Sequence, residues 1–209
     1  MAGRTTLQRL EGWVSVERLA KYRQAADPVA LYEWNAELGA AVFELIGHTE
    51  VLLRNAIHAQ LATRSGTTAW YDDPRYRFNT LTASDIANAK TRAGAHGRTV
   101  TPSRVVAELT FGFWRYMLSS TYQATVWPKA SLAFRGLPRS QRSRATIERQ
   151  VLSINDTRNR IAHQEPVFTL PTARLEADIE TLAGEIDPRA GVWIASISRV
   201  TATLAARPS

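Results

Sequence analysis

The chain has 209 residues, enough for one domain with a sizeable core, and its 44% hydrophobic content is too high for disorder. It contains no cysteine, which excludes disulfides, thiol catalysis and Cys-based zinc sites. The net charge of +7 points to a polyanionic partner, and residues 98–144 alone carry eight basic side chains against the single acid Glu108. A solvated arginine-rich surface is the other reading of this charge, since 23 of the 26 basic residues are Arg.

Residues 1–30 carry charges every few positions and predict no secretory signal, only an N-terminal helical extension over 1–26. The most apolar stretch, 36–53, is broken by Glu37, Glu44 and Glu50 and cannot span a membrane. A cytoplasmic protein without membrane association is expected.

Asp27-Pro28 reads as an N-cap followed by proline at the first helical position, opening a long helix to about Arg64. Leu31, Trp34, Leu38, Ala41, Leu45 and Leu52 form one apolar stripe; Phe43, Ile46, Leu53, Ile57 and Leu61 form a second. Gly66 ends this helix, and an irregular aromatic loop comes next. Thr82 with Asp85 predicts a capped helix to about Arg92. Thr101-Pro102 predicts another through Ser119, in which Phe111-Gly112-Phe113-Trp114 serves either core packing or base stacking. A helix over 141–163 comes after it, stopped by Pro166. Pro171 opens the next, and Asp187-Pro188 precedes a last helix within 188–209. With no alternating strand pattern, the fold expected over 1–209 is a single all-α bundle of five to seven helices, with one long helix in the N-terminal half.

The chemistry-bearing residues lie on the 141–163 helix. Ile147, Val151, Ile154 and Ile161 form its inward stripe, and Arg158 stands in line with them. A cation there needs a partner or a ligand. Asn155, Asn159 and His163 form a neighbouring polar line. An imidazole and a guanidinium suffice to cleave an RNA phosphodiester without metal or other cofactor, one moving the proton and the other balancing phosphate charge. The alternative is that Arg158 pairs with a core acid and His163 caps the helix. Residues five apart lie about 140° apart around a helix, so Arg158 and His163 of one chain do not converge on one phosphate. Either the helix unwinds before His163 or two chains share a site.

Arg158-Asn159-Arg160-Ile161-Ala162-His163 resembles the HEPN ribonuclease signature, and the ending Ala162-His163-Gln164-Glu165-Pro166 resembles the Abi-like (abortive infection) family, of the AbiD/AbiF type. Four further blocks of that family occur in order, and they are Tyr32-Glu33-Trp34-Asn35, Glu50-Val51-Leu52-Leu53-Arg54-Asn55, Trp70-Tyr71-Asp72 and a run from Val105 to Trp114. The resemblance covers about residues 10–185. It implies a HEPN-like helical domain, a homodimer with a composite site, and metal-independent RNA cleavage to 2′,3′-cyclic phosphate. It also implies a bacterial role in phage defence or in a toxin–antitoxin pair, with a protein or RNA antitoxin as partner. Arg158, Asn159 and His163 match the motif as catalytic residues. Gln164 departs from it, since many relatives are expected to carry a second His there.

Glu50 falls on the apolar stripe of the long helix and is expected within ion-pair distance of Arg54, four residues on, or of Arg158. Such a pair serves either to fix helix packing as an internal salt bridge or to orient Arg158, and on the second reading Glu50, Arg54 and Asn55 are assigned to support the site. Arg139, Arg142, Arg144 and Arg160 are assigned to RNA contact, the first three as a phosphate track at the start of the motif helix. His163 and Glu165 lack a third ligand, so no metal is expected. The rival to an enzyme is a helical module that binds RNA or another protein without catalysis. No helix-turn-helix pattern supports a DNA-binding regulator.

Overall fold

Two short helices, α1 (Leu7–Val14) and α2 (Val16–Leu19), lead into α3 (Pro28–Ser65), the element around which the rest packs. The computed structural model describes residues 5–208. The first four residues of the expected 1–26 extension and the last residue of the expected C-terminal helix lie outside this range. Asp27 caps α3 by accepting the Ala30 N–H at 2.9 Å, and Gly66 closes it at φ +71°. At 1.5 Å per residue, its 38 residues span about 57 Å. Leu31, Trp34, Leu38, Ala41, Leu45, Leu53, Ile57 and Leu61 are all buried along it.

Beyond α3 come α4 (Thr80–Ala93), α5 (Pro102–Glu108), α6 (Phe111–Met117) and the single turn α7 (Trp127–Ala130). The motif helix α8 (Arg144–Ala162) is next, then α9 (Thr172–Ile186), α10 (Pro188–Ile197) and α11 (Val200–Ala205). No strand occurs among the described residues, so the fold is the all-α bundle expected. No helix among them is long and apolar enough to cross a membrane.

The chain is divided more finely than its apolar pattern predicts, because polar side chains cap helices locally. Thr110 accepts the Phe113 N–H at 3.3 Å and splits the expected 101–119 helix into α5 and α6. Asn79, not Thr82, caps α4, accepting the Thr82 N–H at 3.0 Å. Thr82 is fully buried and shares a 2.6 Å hydrogen bond with the Tyr122 hydroxyl. Residues 139–141 form a separate 3₁₀ turn before Ser143 caps α8. Ser198 and Thr201 both donate to the buried Glu176 carboxylate, which accounts for the break between α10 and α11.

The Phe111–Trp114 block packs in the core. Trp70 is its hub, with ring centroids 5.8 Å from Trp114 and 6.5 Å from Phe113. Against α9, the loop after α7 comes so close that a Cβ on Gly136 would lie 2.0 Å from the Gly184 carbonyl oxygen. Only glycine fits there.

Candidate functional site

The segment that carries the motif ends in a fully formed Schellman motif. His163 is the C-cap, Gln164 turns into the left-handed region at φ +58°, and two backbone bonds reach back over the turn. Gln164 N–H donates to the Ile161 carbonyl at 2.8 Å, and Glu165 N–H to the Arg160 carbonyl at 3.0 Å. The apolar clasp usual in such a turn is replaced by an ion pair, Arg160 Nε to Glu165 Oε2 at 2.9 Å. Helical geometry thus stops at Ala162, and the His163 side chain is left exposed.

Asn35, in the Tyr32–Asn35 block, anchors the chain just beyond this turn. Its buried side-chain oxygen accepts the N–H of Val167 at 2.7 Å and of Phe168 at 3.1 Å, tying the exit of the motif to α3. In the sequence Asn35 stood out only as part of the Tyr32–Asn35 block, with no signal of this role.

Arg158 is half-buried and faces α3, its guanidinium carbon 5.7 Å from the centre of the Phe43 ring. Phe43 itself is 40% exposed, which corrects its assignment to a buried stripe. Glu50 also departs from expectation: among the described residues it forms no direct ion pair with Arg54 or Arg158. Both arginines nonetheless act on it. Burial pushes the Glu50 carboxyl above its ordinary value, while the charges of Arg158 and then Arg54 pull it down. The two arginines lean instead on their neighbours, Arg158 on Asn159 at 3.5 Å and Arg54 on Asn55 at 3.4 Å. These bonds are long, so both guanidinium groups keep donor capacity for a ligand.

One turn beyond Arg54, His58 completes a line of i, i+4 side chains that the apolar periodicity did not reveal. Trp70 Nε1 donates to His58 Nδ1 at 2.8 Å, which requires Nδ1 to be unprotonated. Burial, then the nearby Arg54 charge, lowers the His58 pKa and supports this neutral form.

Arg158 and His163 have different immediate partners. Arg158 lies against Phe43 and near Glu50, whereas His163 lines a pocket of about 370 Å³ with Ser15, Arg18 and Lys21.

The basic residues divide by what they touch. Arg144 is structural: it donates to the Leu118 carbonyl at 2.8 Å and the Gln123 side chain at 2.5 Å, and pairs with Glu148. Its assignment to a free phosphate track is corrected accordingly. Arg142 donates to the Leu137 carbonyl at 3.0 Å. Arg139 is exposed, and with Arg142 and Lys129 it borders an open cavity of about 440 Å³ against Trp127. Arg160 is held by its ion pair with Glu165.

No curated protein and no solved structure matches the chain. A family model described as Abi-like protein matches residues 13–169, which includes α3, the whole of α8 and the Asn35 anchor. Such a match points broadly to abortive infection, a form of phage defence. It covers most of the sequence, and on it the chain belongs to the Abi-like protein family.

Proposed function

We propose that the chain is a metal-independent endoribonuclease of the HEPN type, acting in abortive infection or as the toxin of a toxin–antitoxin pair. Within the family this reading places it with the AbiD/AbiF type. The observation that carries it is the contrast within one motif: the His163 imidazole stands exposed at a fixed helix end, while Arg158 keeps donor capacity on a half-buried face. In the reaction, neutral His163 takes the proton of a ribose 2′-hydroxyl as the 2′-oxygen bonds to phosphorus. The bond to the 5′-oxygen breaks, and that oxygen takes a proton from the imidazolium of a second copy. Arg158 balances the charge on the phosphorane, and Asn159 holds its guanidinium. Glu50, Arg54 and Asn55 orient that pair.

A homodimer supplies what one chain lacks. Along α3, Ala36, Ala40, Phe43, Gly47 and Val51 are exposed beside the Arg158 face. With Val51 at 42% and Phe43 at 40% exposure, this small-residue and apolar strip suits close approach of a second α3. Dimerisation there would bring two copies of Arg158 near a common cleft. Light scattering at micromolar concentration, with Phe43→Glu and Val51→Glu as disrupting variants, tests the assembly. A monomer would favour the rival reading, a helical module that binds RNA without cutting it, because one chain offers a single motif imidazole for the two proton transfers. Cleavage is tested with purified protein and single-stranded RNA in EDTA, comparing wild type with His163→Ala.

A further inference from the structure

The pocket around His163 is walled on one side by the N-terminal segment, to which neither the motif nor the charge pattern assigns a role. Ser15, Glu17, Arg18 and Lys21 line it together with His163 and Glu165. At about 370 Å³ it lies within the range of small-ligand sites, roughly 300–1,000 Å³. Arg18 is built into the wall: its Nη1 donates to the Gln164 carbonyl at 2.7 Å, bridging 146 residues of sequence to the left-handed turn beside His163. Lys21 is exposed, and among the described residues its ammonium has no hydrogen bond or ion pair. Of the two acids on the wall, Glu165 is neutralised by Arg160, which leaves Arg18 and Lys21 against Glu17. The pocket is therefore cationic, and its cations come from the same chain as its imidazole.

We propose that the N-terminal segment is part of the RNA site, with Lys21 binding a backbone phosphate beside His163 and Arg18 acting as a positioning residue for the His163–Gln164 turn. This rests on the ribonuclease reading of the motif and adds to it a phosphate contact from the turn just after α2.

The test uses the full chain and a fluorescent 2′-O-methyl RNA oligonucleotide, which binds but lacks the hydroxyl needed for cleavage. Lys21→Ala should weaken binding about three- to tenfold and reduce the slope of log affinity against log salt by about one, with Lys21→Arg close to wild type. On cleavable RNA, Arg18→Ala should lower kcat by about tenfold with KM within about twofold, the pattern of a misplaced proton-transfer group. If Lys21→Ala binds with wild-type affinity and salt slope, the proposal is wrong even where the wild type cleaves RNA. Wild-type protein that neither binds the oligonucleotide nor cleaves RNA overturns both this proposal and the ribonuclease reading.

Discussion

The side-chain oxygen of Asn35 accepts the backbone N–H of Val167 at 2.7 Å, joining the first third of the chain to the residue just past the motif. The same oxygen accepts the Phe168 N–H at 3.1 Å, so one buried amide holds two donors of an irregular segment. Asn35→Ala leaves the buried Val167 donor without a partner, at a cost of about 1–3 kcal/mol. Denaturant unfolding should show this loss. Hydrogen exchange should show the Val167 and Phe168 amides opening early, with α4 and α5 protected as before.

Gln164 occupies a position that glycine would fill at less cost. A non-glycine residue in the left-handed region is strained, and the contacts made here by Gln164 are backbone ones. Gln164→Gly should therefore stabilise the protein by about 0.5–1 kcal/mol, after the added entropy of the unfolded chain. A rise in the denaturation midpoint at constant slope is the expected result; a fall would mean that the Gln164 side chain carries more than the turn.

Glu50 is where stability and activity are expected to oppose each other. Burial holds its carboxyl above the ordinary value despite Arg158 and Arg54. A carboxyl with a raised folded pKa favours the folded state below its unfolded pKa, and that contribution disappears as pH rises through the folded value. Near neutral pH, Glu50→Gln should consequently raise stability, with the gain shrinking as pH falls below the carboxylate range. The same variant should lower RNA cleavage, since Arg158 loses the charge that orients it. Stability curves at about pH 3 and about pH 7, on either side of the carboxylate titration, check the first part.

Arg144 and Arg139 separate fold from ligand contact. Arg144→Ala removes bonds to Leu118, Gln123 and Glu148 at the start of α8 and should cost about 1–3 kcal/mol of stability. Arg139→Ala, at an exposed site, should change stability by less than about 0.5 kcal/mol. It should instead weaken RNA binding and lower the salt slope by about one. Thermal unfolding beside a salt titration of RNA affinity distinguishes the two.

What the sequence made legible was set by local chemistry. Asp27-Pro28 and Gly66 bounded α3 to within a residue because capping and the left-handed turn act between neighbours. Pro166 likewise placed the end of α8. Competition among local caps and with tertiary partners was not legible. Thr110 capped a helix that its apolar pattern would have continued, and Thr82 was taken into the core by Tyr122. At the site, periodicity put Arg158 and Glu50 on facing stripes, yet it could not show that Phe43 would take the guanidinium in place of the carboxylate. Asn35 and Arg18 act 132 and 146 residues away along the chain, and no spacing rule reaches that far.

RNA cleavage in the absence of divalent metal is the most direct measurement. Wild-type protein in EDTA should cut single-stranded or looped RNA to 2′,3′-cyclic phosphate and 5′-hydroxyl ends and leave DNA intact. His163→Ala should lose roughly 100-fold or more in rate, the usual scale for a positioned acid or base. Arg158→Ala should lose a comparable amount while remaining folded by circular dichroism. Activity that EDTA abolishes, or that survives intact in His163→Ala, would contradict the assignment of catalysis to this motif.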